Sequence, residues 1–439
     1  MRVLIAPDKF KGTLSADQAA RAMADGVRDA LDATSLELAL RPLADGGEGS
    51  HDCLRALHAG DGRQRCGVLL EEARMNVSDS VGRPITATYL TATDASDGTA
   101  RHYLETAAVI GLELPGARDV SILDRTTAGV GQWLANLLSA QSAQRLEFHL
   151  FLGGSATSDG GFGLARALGF RFFGDSSPNA KEILRFRDVL EARAVQPPAI
   201  RAQAIDVFVY TDVQNPLNGP TGAAQLFGPQ KGASADEVRA LEERLLHLGH
   251  LLETITRNQQ VSSDRANAAR NANDSEVLFR RPGTGAAGGL ALPLLYWPGA
   301  RTRFRSGIDF FLEAARIAET LRDFRPDFIL TGEGRTDRGS LQGKVVAGLG
   351  RLCAANAARP DAQTASAGPE RPPRFMIVSG DVPPADRAAL AAAGFSHVYD
   401  CTTRCGARWP LTATEAADRL RETTAFAVRD MLSRRGRDG

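Results

Sequence analysis

The apolar residues of the chain come in short runs, each followed by a polar, glycine-rich segment and then by residues at helical spacing. Arg2–Ala6 (RVLIA) has no polar alternation, the pattern of a strand buried on both faces of a parallel sheet. It passes through Pro7-Asp8-Lys9-Phe10-Lys11-Gly12 to Ser15 and Gln18, which stand at capping-box spacing. Ala19, Ala20, Met23, Ala24, Val27 and Leu31 then recur at helical intervals, which predicts a helix opened by Ser15. The same order returns downstream. Leu146–Leu152 leads through GGSATSDGG into a helix near Phe162–Leu168, and Asp206–Tyr210 leads through Thr211-Asp212 and a long loop to a helix near Asp236–Ile255. Asp327–Leu330 leads into Thr331-Gly332-Glu333-Gly334-Arg335 and a helix after Gly343, and Phe375–Val378 ends in Ser379-Gly380-Asp381. Strand, loop and helix in alternation predict an α/β fold with largely parallel sheets, whose ligands sit beyond the carboxyl ends of the strands.

The texture changes between Gly67 and Arg101. Val68–Leu70, Arg74–Ser78 and Pro84–Leu90 read as short strands with turn residues between them, closer to a mixed sheet. Arg257–Glu276 and Ala357–Pro373 are poor in large apolar residues; the first reads as a domain crossover and the second as a surface insertion. No internal repeat is found.

At 439 residues the chain is long for one hydrophobic core, so two domains are expected. Its 52 basic and 52 acidic side chains leave no net charge to attract nucleic acid or an anionic membrane, and an anion must be held by local groups. No apolar run approaches the ~20 residues that span a bilayer. The N-terminus turns polar too early for a signal peptide. The five cysteines form no C-x-x-C pair and read as reduced thiols, so a cytoplasmic protein is expected.

Charged residues gather in the glycine-rich segments. Asp8, Lys9 and Lys11 lie at the end of the first strand, before a capped helix, as candidates for an anion site. Asp45 and Glu48, flanking Gly46 and Gly47, are one candidate carboxylate pair for a hard cation; Glu333 and Asp337 are another, with Lys344 downstream to face phosphate. Ser155, Thr157, Ser158 and Asp159 sit where glycines let the backbone wrap an anion. Asp212, just past a buried strand, is the candidate general base. Gly154-Ser155-Ala156-Thr157-Ser158 does not fit G-x-S-x-G, which sets covalent catalysis by Ser155 aside. A P-loop is excluded because Arg338 stands where it needs glycine, five residues before Gly343. Gly283–Gly288 fits G-x-G-x-x-G, but follows Arg280-Arg281-Pro282 rather than a strand. It reads as a tight turn into a helix after Gly289 that exposes backbone N–H groups, Gly285 among them, with dinucleotide binding the lesser alternative.

Together APDKFKGTLSA (6–16), LADGGEGS (43–50), GGSATSDGG (153–161), TDVQNPLNGPTGAAQLFGPQKGA (211–233), PGTGAAGGL (282–290), SGID (306–309) and TGEGRTDRGSLQGKV (331–345) resemble the class I glycerate kinases of bacteria. The resemblance implies ATP-dependent phosphorylation of D-glycerate with Mg2+, favouring 2-phosphoglycerate as product. It implies two α/β domains: a flavodoxin- or Rossmann-like one from residues 1–66 and 284–439, and an inserted one, 67–283, with the loops around a cleft. Lys9 or Lys11 and Lys231 would then neutralise phosphate or carboxylate, and Asn215, in NPLNGPTG, would touch substrate or nucleotide. Either carboxylate pair would hold magnesium and Asp212 would serve as base. Monomer and homodimer stay open, as do 3-phosphoglycerate as product and another small hydroxy acid as substrate. A dehydrogenase is the distant alternative. Val130 stands where relatives usually carry Thr, which removes a hydroxyl from a segment near the ligand.

Overall fold

The computed structural model describes residues 1–31, 35–59, 70–94, 97–140, 143–177, 179–200, 203–264, 277–341, 343–357, 373–395, 397–406, 408–409 and 411–435. It divides into two compact units, one formed by Met1–Arg65 with Ser306–Gly439 and the other by Cys66–Arg305.

The strands run in chain order β1 (Arg2–Ile5), β2 (Glu37–Leu40), β3 (Glu71–Ser78), β4 (Pro84–Thr93), β5 (Ala100–Glu105), β6 (Arg145–Phe151), β7 (Arg171–Phe173), β8 (Ala194–Gln196), β9 (Ala204–Tyr210), β10 (Ala300–Arg305), β11 (Phe328–Thr331), β12 (Arg374–Ser379) and β13 (Val398–Asp400). The unit made of both chain ends carries a fully parallel sheet in the order β13-β12-β11-β1-β2. Within that unit this is the order 2-1-3-4-5 of the flavodoxin-like fold, with its topological switch point between β1 and β11. Val3 and Ile5 of β1 and Phe328 and Leu330 of β11 enter the core on one face, and Leu4 and Ile329 between them are buried too, as an apolar run without alternation requires. The helix Ala16–Ala30 opens as expected. Ser15 Oγ accepts from the Gln18 N–H, and Gln18 Oε1 accepts from the Ser15 N–H.

The other unit is built on a mixed sheet in the order β10-β9-β6-β5-β4-β3. Its β3–β4 and β4–β5 pairs are antiparallel and its remaining pairs parallel. The helices Ala128–Ala140, Phe162–Ala167 and Ala235–Asp264 contribute to its apolar core through side chains such as Trp133, Leu164, Leu241 and Leu248. Val130 belongs to that core, so this position faces packing rather than ligand.

The second crossing between units falls at Arg305/Ser306 rather than at 283/284. The reason is β10, which pairs in parallel with β9 and arrives behind Leu290, Leu292 and Trp297, all in the core of the mixed-sheet unit. The polar stretch at 257–276 is therefore no domain crossover. Its first part continues the helix Ala235–Asp264, both flanks belong to one unit, and 265–276 lies outside the described residues. No helix follows Gly289. The short 3-10 turn Ala286–Gly288 ends at it, and the 3-10 turn Leu292–Tyr296 stands where the helix was expected. The expected strand at Val68–Leu70 falls largely outside the described residues, as do most of the 357–373 insertion and Cys66; Cys53, Cys353, Cys401 and Cys405 are free thiols. No helix among the described residues is long and apolar enough to cross a membrane.

Candidate active site

The loops that leave β1 and β11 meet at the switch point. Ladder bonding continues past the strands: the Ala6 N–H donates to Leu330 O at 2.8 Å and the Asp8 N–H to Gly332 O at 2.9 Å. Asp8 is thereby set beside Glu333, and both side chains are buried. Asp45 is brought to the same group by the SGID segment. A Cβ on Gly307 would stand 1.9 Å from Asp45 O, so only glycine lets the start of the helix Gly307–Ala314 lie against this loop.

Burial, with the carboxylates of Asp45 and Glu333 adding to it, pushes the Asp8 carboxyl well above the usual range. Burial also raises Glu333, against the pull of Lys344. Burial alone would lower the Lys344 ammonium, yet Glu333, Asp45, Asp337 and Asp8 hold it above its ordinary value. Lys344 Nζ stands 3.9 Å from Glu333 Oε2. Four carboxylates thus act on one lysine, a surplus of negative charge that a cation relieves.

This grouping differs from the pairs expected within single segments. Glu48 turns to Lys9, whose Nζ lies 3.1 Å from Glu48 Oε2 and donates to Glu48 O at 2.5 Å. Gly46 takes left-handed φ (90°) and the Gly47 N–H donates to Asp45 Oδ1 at 3.0 Å, which fixes the turn. Asp337 organises the turn Arg338–Leu341: its carboxylate accepts from the Gly339 N–H (2.8 Å) and its N–H donates to Ser340 Oγ (3.1 Å). Lys11 is exposed. Among the described residues no three His, Cys, Asp or Glu side chains form a ready metal cage. Magnesium does not require one, since it is commonly bound by one or two carboxylates together with substrate phosphate oxygens. An all-oxygen set with surplus negative charge fits that use.

The other unit carries a second polar group at the ends of its own strands. Lys231, on the turn Pro229–Lys231, is only 4% exposed; its Nζ donates to Ser155 Oγ at 3.0 Å and to Thr157 O at 2.6 Å. Burial and the nearby Arg125 charge bring its ammonium down to about 7, against the opposing charge of Asp159. Asp159 itself faces inward. It accepts from the N–H groups of Thr127 (2.9 Å), Gly161 (3.1 Å) and Gly163 (3.0 Å) and from Thr127 Oγ1 (2.9 Å), so it shapes the loop rather than binding ligand. Thr157 Oγ1, Ser158 Oγ and Asn215 Oδ1 are buried and have no hydrogen-bond partner among the described residues. Buried polar atoms without partners are rare and mark a place for water or ligand. The Gly285 N–H is not offered to ligand as expected, because it donates to Asn215 O at 3.1 Å. Gly283–Gly288 follows the 3-10 turn Leu278–Arg280, not a strand, which removes the context a dinucleotide site needs. Asp212 follows β9 and is half-buried. The backbone on either side is fixed, with the Thr211 N–H donating to Arg305 O (3.0 Å) and the Val213 N–H to Thr211 Oγ1 (3.3 Å).

Two features escaped the sequence reading. One is the joining of Asp8 and Asp45 with Glu333, a residue almost three hundred positions further along the chain. The other is Arg125, a buried cation whose only local signal is its place before the Thr126-Thr127 helix start.

The glycerate kinase family model matches residues 3–425. A glycerate kinase of Halalkalibacterium halodurans is 32% identical over 356 residues, 80% of this chain and 81% of that protein. The glycerate 2-kinase of Escherichia coli K12 is 30% identical over 359 residues, covering 80% and 82%. A crystal structure from Salmonella typhimurium LT2, of a protein assigned as glycerate kinase 2, superposes with a TM-score of 0.67 at 26% identity and covers 100% of this chain and 99% of that one. With its strand-end clusters of carboxylates and lysines and a match along nearly its whole length, this enzyme belongs to the glycerate kinase family.

Proposed function

We propose that the enzyme transfers the γ-phosphoryl group of ATP to D-glycerate and releases ADP and 2-phosphoglycerate. The observation that supports this reading most is the convergence of Asp8, Asp45, Glu333 and Lys344 at the β1/β11 switch point, where folds of this order bind phosphate-bearing ligands. Lys344, with Lys9 or Lys11, offsets charge on the nucleotide phosphates. One or two of Asp8, Asp45 and Glu333, together with phosphate oxygens, would hold magnesium; Glu48 and Asp337, as oriented, are spent on Lys9 and on a turn. When bound, the ion supplies positive charge at the β- and γ-phosphate oxygens.

In the mixed-sheet unit, Lys231 holds the glycerate carboxylate, and Thr157, Ser158 and Asn215 offer uncommitted hydrogen-bonding atoms to the hydroxyls. Asp212 accepts the proton of the attacking hydroxyl as its oxygen bonds to the γ-phosphorus and the bond to the ADP oxygen breaks. Phosphoryl transfer of this kind relies mainly on positioning and charge stabilisation.

Choice of the 2-hydroxyl leans on the E. coli relative, a glycerate 2-kinase. Coupling purified protein, ATP, magnesium and D-glycerate to enolase, with and without phosphoglycerate mutase, tests it. Signal without mutase is expected. Signal only with mutase transfers the reaction to the 3-hydroxyl, and no signal with ATP still bound makes another hydroxy acid the substrate.

A further inference from the structure

Arg125 is buried, at 3% exposure, and its hydrogen bonds among the described residues run to backbone carbonyls and to no carboxylate. Nε and one terminal nitrogen donate to Val120 O at 3.2 and 3.1 Å. The other donates to Ala156 O at 3.1 Å and to Lys231 O at 2.8 Å. A guanidinium buried with no carboxylate hydrogen-bonded to it is costly, and its place in the fold calls for a reason.

The two shared carbonyls supply one. Ala156 lies between Ser155 and Thr157, whose Oγ and carbonyl oxygen receive Lys231 Nζ, and Lys231 O belongs to the lysine itself. One nitrogen of Arg125 therefore ties the lysine turn to the loop on which its ammonium rests. We infer that Arg125 is a positioning residue for the acid substrate, fixing the Lys231 turn against the Ser155–Thr157 loop so that the ammonium is held where the carboxylate binds.

The inference rests on the reading of Lys231 as the carboxylate's partner. A second observation agrees with it. The charged groups acting on this pair are Asp159 on Lys231, and Arg118 and Glu237 on Arg125, and the Arg125 charge acts on Lys231 directly. Arg125 thus sets both where the ammonium stands and how readily it keeps its proton.

The test compares R125K and R125Q with wild-type protein in KM for D-glycerate, KM for ATP and kcat, on both sides of neutral pH. R125K keeps the charge with fewer donors; R125Q keeps donors without charge. Both should raise KM for D-glycerate by about tenfold while KM for ATP and kcat change little. R125Q should also move the pH midpoint of that KM upward, by about one unit. A merely structural arginine would lower thermal stability without moving the midpoint. An unchanged KM with an unmoved midpoint in folded R125Q overturns the inference. Should R125Q fail to fold, an unchanged KM in R125K overturns it. K231M separates the two readings: if it leaves KM for D-glycerate unaltered, the role of Lys231 is wrong. A raised KM in K231M beside unaffected Arg125 variants overturns the role of Arg125 alone.

Discussion

Asp8 and Glu333 extend adjacent strands of a parallel sheet, and their carboxylates are held together by the bond from the Asp8 N–H to Gly332 O at 2.9 Å. Burial raises the Asp8 proton affinity well above the ordinary carboxyl value, and repulsion from Asp45 and Glu333 adds to it. The fold accepts an unfavourable charge arrangement at its switch point, as expected where the ligand supplies the missing positive charge.

Asp8→Asn relieves that repulsion without changing the shape of the side chain. The ligand-free variant should melt at the same temperature as wild type or higher, while turnover falls by about a hundredfold or more. Because burial and its neighbours raise the Asp8 carboxyl, the wild-type fold favours the protonated acid. Its contribution to stability is complete below the unfolded carboxyl value and is lost as pH climbs through the raised one. Melting curves against pH should show that loss in wild type and not in the variant. Lowered stability with full activity would assign Asp8 a purely structural role.

Asp159→Ala tests a role in shaping the loop. The carboxylate accepts from three backbone N–H groups and one hydroxyl, all buried, and its removal strands those donors. A cost of about 3 kcal/mol is expected, read as a lower denaturant midpoint with an unchanged slope. An Asp159→Ala protein with wild-type stability would return this residue to the ligand-binding set.

Asp212→Asn separates chemistry from binding. A general base contributes about two to four orders of magnitude to rate. The variant should keep its melting temperature and both KM values within about threefold while kcat falls by that amount. Turnover near wild type would require another group to accept the proton.

Most of the fold could be read from local pattern, because RVLIA and its counterparts carry the signature of buried parallel strands and Ser15/Gln18 mark a helix start. The second domain boundary could not. β10 (ARTRFR) alternates half-buried uncharged residues with exposed arginines as an edge strand does, and its place beside β9 is decided by pairing across almost a hundred residues. The site divides in the same way. Glycine spacing picked out the loops and most of their charged residues. Which carboxylate faces which depends on strand order, so Asp45 and Glu48 read as a pair although Glu48 turns to Lys9 and Asp45 joins Asp8 and Glu333. Hydrogen bonds from Arg125 to distant carbonyls leave no sequence trace, since any residue supplies a carbonyl.

Lys231 gives the sharpest test by pH. Burial and the Arg125 charge bring its ammonium from the ordinary lysine value down to about 7, so above that pH the folded protein favours the neutral amine. In the unfolded chain the amine stays protonated to about pH 10.4. The unfolded state therefore binds more protons between these values, and this residue makes stability rise with pH across the window. Binding runs the other way, because a neutral amine cannot hold a carboxylate by charge. KM for D-glycerate should increase as pH passes about 7. Lys231→Met removes both trends: its stability should lack that rise, and its KM should be high at every pH. Stability and affinity for the carboxylate thus move in opposite directions with pH and have one origin. A KM that stays flat through neutrality, in a wild-type protein whose stability does rise, would leave Lys231 a buried structural lysine and move the carboxylate elsewhere.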